Sequence, residues 1–198
     1  MAIAAAVVKE LRDKTGAGML ECKKALEENE GNIEAAVEYL RKQGLAAAQK
    51  RADRAAEQGL VESYIHPGAK VGVLIEVNSE TDFVARTDEF KALAKDLAMQ
   101  VAAAAPVAVR REELPEDLVG KEKEILMAQA EGLKKPPQVL EKIVSGKMDK
   151  FYKEVCLLEQ AYIKDPKMTV QDRIKETMSV LGENIVVRRF ARFKLGAD

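Results

Sequence analysis

Leu60-Val61-Glu62-Ser63-Tyr64-Ile65-His66, Pro67-Gly68-Ala69 and Val71-Gly72-Val73-Leu74-Ile75-Glu76-Val77 follow one another from Gly59 onward. The residue period changes to two here, and both runs are rich in β-branched and aromatic residues. Joined by a Pro-Gly turn, they predict a β-hairpin over 59–78. A hairpin alone is marginal in water, so a further strand is required. The candidate lies far along the chain, in Asn184-Ile185-Val186-Val187-Arg188-Arg189-Phe190-Ala191-Arg192-Phe193, where apolar and basic residues partly alternate. A strand over 184–194 completes a small antiparallel sheet of about three strands.

Between hairpin and last strand (82–181) the chain is helical. Helical periods cover roughly 87–105, 116–131, 137–145, 147–158 and 169–181, punctuated by Pro106, Pro115, Pro136-Pro137 and Pro166. Upstream, residues 1–43 hold three more. The first carries Val7, Val8 and Leu11 on one side and stops at Thr15-Gly16-Ala17-Gly18. The second, near 19–28, spaces Met19, Cys22 and Leu26 by three and four; the third opens on Asn32 as N-cap and does the same with Ile33, Val37 and Leu40. Each is too short to stand alone, so together they bury one small core and form a three-helix domain suited to offering a hydrophobic patch to a partner. The Ala-rich basic run of 44–58, through Lys50-Arg51 and Arg54, reads as a linker or a solvated helix. The remaining 59–198 form a helix-rich core, and the fold class is α+β.

Composition narrows the function. Apolar residues make up 47% of the 198, enough for at least one core, while Lys+Arg 32 against Asp+Glu 33 leaves no global field for nucleic acid or an anionic membrane. The apolar opening Met1-Ala2-Ile3-Ala4-Ala5-Ala6-Val7-Val8 runs at once into Lys9-Glu10 and Arg12-Asp13, so it reads as a helix rather than a signal peptide. No stretch approaches the roughly 18 apolar residues of a membrane span. Cys22 and Cys156 are far apart and inside helix-like patterns, which argues against a disulfide framework or a zinc site and fits a reducing compartment. The expectation is a soluble, cytoplasmic protein with neither metal nor cofactor.

Candidate chemistry is sparse. His66 is the lone histidine, at the edge of the Pro-Gly turn, so triads and two-histidine metal motifs are excluded or strained. Gly16-Ala17-Gly18 follows a helix, lacks a third glycine and has no Gly-Lys-Ser/Thr, so it reads as an interhelical turn rather than a phosphate loop. Glu76, Glu80 and Asp82 cluster carboxylates, yet solvated loop acids are commoner than catalytic pairs. Ser79-Glu80-Thr81-Asp82-Phe83-Val84-Ala85-Arg86 leaves the second strand and enters a helix, with Asp82 in the first turn. Either Phe83 is tucked into the core behind an ordinary cap, or it projects beside a charge as an aromatic anchor. The residues alone leave both readings open.

Three segments, Leu11-Arg12 through Thr15-Gly16-Ala17-Gly18-Met19, Thr81-Asp82-Phe83-Val84-Ala85, and Gly182-Glu183-Asn184-Ile185-Val186-Val187-Arg188-Arg189, resemble in order the signatures of the elongation factor Ts family. The resemblance covers essentially the whole chain. It implies a ubiquitin-associated-like N-terminal domain and a guanine nucleotide exchange factor, not an enzyme. The implied partner is elongation factor Tu, GDP-bound and nucleotide-free. Carried over, Thr81, Asp82, Phe83 and Val84 disturb the magnesium ion that helps Tu hold its nucleotide, with Asp82 and Phe83 as the wedge. Arg12, Met19 and Leu20 are the implied contacts of the N-terminal domain, although three-helix packing explains Met19 equally well. Longer members carry a second repeat-like half, whereas this chain holds one hairpin and one returning strand. The short form resembles a homodimer.

Two rival readings remain: a ubiquitin-like or nascent-chain binder built on the three-helix unit, and an enzyme using Glu80 and Asp82 as acid and base. The Thr81–Val84 motif speaks against the first. No cofactor motif, metal cluster or nucleophile–base pair accompanies the second.

Overall fold

The structure is a computed structural model that describes residues 3–133 and 135–197. Met1 and Ala2 of the apolar opening and Asp198 at the end of the core therefore lie outside the described residues. In chain order the elements are α1 (Ala5–Thr15), α2 (Met19–Glu28), α3 (Ile33–Arg51), β1 (Gln58–Ile65), β2 (Val71–Ser79) and α4 (Asp82–Ala85). They continue with α5 (Asp88–Ala104), α6 (Glu116–Glu131), α7 (Pro137–Val155), β3 (Ala161–Tyr162), β4 (Asp165–Thr169), α8 (Val170–Leu181) and β5 (Ile185–Lys194). The architecture is α+β. The chain divides into two compact units: Met1–Leu60 with Asn78–Leu93 and Asp172–Val186, and Val61–Val77 with Ala94–Gln171 and Val187–Asp198.

In the first unit, Val8, Leu11, Cys22, Ala25, Leu26 and Ala36 form a buried cluster, with Val7, Ile33, Val37 and Leu40 packed partly against it. Each helix presents one apolar stripe, and none could persist alone at these lengths. Gly16 ends α1 in the left-handed region, φ 68°, and its N–H returns to the Arg12 carbonyl at 2.8 Å. The Asn32 side chain accepts the Ala35 N–H at 3.0 Å, the N-cap expected of it.

Residues 44–51, read as linker or solvated helix, continue α3, and Ala48 is fully buried. A glycine in a helix interior costs about 1 kcal/mol relative to alanine. Gly44 is accepted because α8 comes close: a methyl group there would overlap the Ser179 side chain. Arg41 reaches Glu176 of α8 at 3.2 Å nearby.

The second unit is built on an antiparallel sheet in the order β1-β2-β5. Pro67 and Gly68 (φ 92°) are the central residues of the hairpin turn, closed by Ala69 N–H on His66 O at 2.9 Å, as a type II turn requires. On β2, Val73, Ile75 and Val77 are buried while Leu74 is exposed, so the period-two pattern reports a one-sided strand. On β5 the alternation slips where Arg188 and Arg189 are both exposed.

Two helical expectations need correction. The periods at 137–145 and 147–158 are one helix, α7, which passes through Gly146 and stops at Cys156; Leu157–Glu159 forms a single 3-10 turn. Good helix formers flank Gly146 on both sides, and their combined propensity outweighs the single glycine. Residues 161–169 hold a second small hairpin, β3 with β4, that period analysis did not find; Tyr162 pairs with Asp165 across a two-residue loop. Strands this short carry no readable period.

Candidate functional site

Thr81, Asp82, Phe83 and Val84, like Arg12, Met19 and Leu20, belong to the first unit. The best-defined group is the turn from β2 into α4. Thr81 is extended (φ −127°, ψ 156°), and its Oγ1 accepts the Val84 N–H at 3.5 Å, making it the N-cap of α4. Asp82 occupies the first turn, where the helix end favours a carboxylate, and pairs with Arg86 at 2.6 Å. Ala85 is buried and Val84 half-buried, so one side of this single turn faces protein. Phe83 faces the other way and is 78% exposed. The tucked-in reading of Phe83 is thereby removed. Leaving a phenylalanine in water forgoes about 1.5–3 kcal/mol of burial, which a partner that covers the ring could recover.

What holds the turn is a pair of carboxylates. Glu183 accepts the Thr81 N–H at 3.0 Å on one oxygen and the Thr81 hydroxyl at 2.6 Å on the other. Glu80 in turn accepts the Asn184 N–H at 2.7 Å and lies 3.5 Å from Arg54. The Asn184 amide donates to the carbonyls of Ala52 and Arg54 at 3.1 and 2.7 Å. Two loops far apart in sequence thus brace each other reciprocally. Glu183 and Asn184 stand inside the Gly182–Arg189 signature, and no local pattern marks them as a brace. The only available signal was two carboxylates beside two strand ends.

At the N-terminal end of the unit, Arg12 is exposed in the last turn of α1, and Met19 (46% exposed) and Leu20 (84%) open α2. Cys22, Ala25 and Leu26 supply the buried stripe of α2. Met19 precedes that stripe by one turn, half-exposed and outside the buried cluster. The Gly16–Gly18 segment is an interhelical turn, its Gly18 N–H donating to Glu21 at 3.3 Å.

The remaining candidates are structurally committed. His66 lies 3.1 Å from the Tyr64 hydroxyl through Nδ1, with no carboxylate in that contact. Glu76 pairs with Arg189 at 2.8 Å. Glu80 and Asp82, the pair an acid–base enzyme needs, point into separate contacts, the brace and Arg86. Both cysteines are buried free thiols, and burial pushes Cys156 up to about 11. Among the described residues no group of three or more His, Cys, Asp or Glu could hold a metal ion, and no helix is long and apolar enough to cross a membrane.

The family model described as elongation factor TS matches residues 1–197. The elongation factor Ts of Moorella thermoacetica is 60% identical over 194 residues, covering 98% of this chain and 96% of the relative. That of Heliobacterium modesticaldum is 59% identical over 194 residues, covering 98% and 90%. That of Geobacter sulfurreducens is 59% identical over 196 residues, covering 99% and 91%. With a match over nearly the whole chain and this level of identity, the chain belongs to the elongation factor Ts family of translation elongation factors.

Proposed function

We propose that this chain is a guanine nucleotide exchange factor for elongation factor Tu, acting in the cytoplasm and carrying out no covalent chemistry. The observation that supports this most is Phe83, held 78% exposed beside Asp82 on a braced single turn. An aromatic anchor next to a carboxylate can enter a partner's nucleotide site, displacing apolar packing and disturbing the magnesium ion that holds the phosphates. Thr81 and Val84 set the turn from which the wedge projects. Arg12, Met19 and Leu20 supply a second contact through the N-terminal domain, residues 1–43, with 44–58 as connection and 59–198 as core.

The energetics are those of linkage. A factor that prefers the nucleotide-free, rearranged GTPase weakens GDP binding by the same factor by which GDP weakens its own. Each tenfold in release rate takes about 1.4 kcal/mol off the barrier, within reach of a few well-placed contacts. Fluorescent GDP preloaded on elongation factor Tu, with magnesium present, should leave at least about tenfold faster when this chain is added. An unchanged release rate would reject the reading and favour the binding module built on the three-helix unit.

The chain acts as a homodimer in this reading. Val61, Ile65, Leu74, Phe193 and Leu195 are exposed large hydrophobics on and beside the sheet of the second unit. A second copy offers the same apolar face, and like sheets stack about 10 Å apart. Sedimentation equilibrium should give twice the chain mass, with Phe193→Asp shifting it to monomer. A wild-type chain that sediments only as monomer would sink the dimer.

A further inference from the structure

The wedge has to be held, and α4 cannot hold itself. It is four residues long, whereas helix nucleation is unfavourable and isolated helices need far more residues to persist. Phe83, its largest side chain, gives it little packing, and its own cap bond from Thr81 to Val84 is long at 3.5 Å. The Asp82–Arg86 pair is exposed and lies within the same local segment, so it fixes nothing relative to the rest of the unit.

Ser79 Oγ donates to the Thr81 carbonyl and Thr87 Oγ1 to the Val84 carbonyl, each at 2.8 Å, but both are local; the long-range bonds come from Glu183, 102 positions further along the chain. Its carboxylate takes both donors of one residue, the Thr81 N–H and O–H, in charge-assisted bonds of 3.0 and 2.6 Å. Because the hydroxyl hydrogen is committed to Glu183, the lone pairs of Thr81 Oγ1 are left to receive the Val84 N–H. Glu183 therefore orients the cap, and the cap orients the first turn carrying Asp82 and Phe83. The neighbouring Glu80–Asn184 bond, anchored to Ala52 and Arg54, keeps Glu183 itself in place.

Resting on the exchange reading, we propose that Glu183 is the positioning residue of the Asp82–Phe83 wedge: it sets how fast GDP is expelled once the complex forms and has little effect on formation of the complex. The chemistry favours a carboxylate at this position. A leucine has about the same size and no hydrogen-bonding group, so neither bond to Thr81 survives, whereas a glutamine could still accept the Thr81 N–H and donate its NH2 to the Thr81 hydroxyl.

Glu183→Leu tests this with full-length protein and fluorescent GDP on elongation factor Tu. The maximal release rate at saturating factor should fall about tenfold, while the half-saturating concentration stays within about twofold. Amide hydrogen exchange of the free variant should speed up at Thr81 and Val84 and stay unchanged at Leu97. A maximal rate within about twofold of wild type overturns the proposal. So does an unchanged maximum with a raised half-saturating concentration, which would make Glu183 a contact residue. A general loss of protection reaching Leu97 would make it a stability residue and also overturns it. If the wild-type chain does not accelerate release at all, the exchange reading fails, and the exchange rates at Thr81 and Val84 still decide whether Glu183 holds the turn.

Discussion

Phe83→Ala should lower the acceleration of GDP release at least tenfold and leave the melting temperature of the free chain within about 2 °C of wild type. The two halves of this expectation have one cause. Phe83 is 78% exposed, so truncating it removes little packing from the free protein. In a complex the same ring, once buried, is worth about 1.5–3 kcal/mol, or roughly ten- to hundredfold in rate if it engages on the way to the nucleotide-free state. Asp82→Ala breaks only the exposed pair with Arg86, worth about 0–1 kcal/mol, so it too spares the fold. The double variant separates the two candidate surfaces. If acceleration survives in it, the contact that drives release moves to Arg12, Met19 and Leu20; if it is lost while binding to elongation factor Tu persists, the wedge carries the step.

The sequence made some of this legible and hid the rest for definable reasons. The hairpin could be read because alternation and a Pro-Gly turn are local, and the structure puts Pro67 and Gly68 where a type II turn needs them. The Asn32 cap is equally local. Gly146 misled because a single glycine is a weak break against a long run of helix formers. At the candidate site, a one-turn helix has no period, so whether Phe83 points in or out was undecidable from spacing. Met19 fell on the same spacing as Cys22 and Leu26 yet sits exposed ahead of the buried stripe. The brace through Glu183 and Asn184 joins positions more than a hundred residues apart, and no local pattern encodes that.

Gln100 is the plainest instance of tertiary information absent from local sequence. Within the Ala-rich run of α5 it looks like an ordinary surface glutamine, yet it is fully buried. Its Nε2 donates to Gln160 Oε1 at 3.1 Å and to the Ala161 carbonyl at 3.2 Å, while its Oε1 accepts the Ile163 N–H at 2.8 Å. Gln160 continues the network to the Glu154 carbonyl at 2.8 Å, and Tyr162 donates to Asp96 of α5 at 2.6 Å. These bonds fasten the β3–β4 hairpin, which is too short to be stable alone.

Gln100→Ala should therefore destabilise the chain by about 3 kcal/mol, because it strands buried donors and acceptors at roughly 1–3 kcal/mol each and opens a small cavity. For a chain of this size that is a fall of about 6–12 °C in melting temperature. Gln100→Leu distinguishes the two causes, since it restores the volume without restoring any hydrogen bond. If the polar network is what matters, leucine melts about as low as alanine, and protection is lost first at the Ile163 amide. If leucine instead recovers most of the stability, the cavity dominates, and the hairpin is held by packing around it rather than by Gln100.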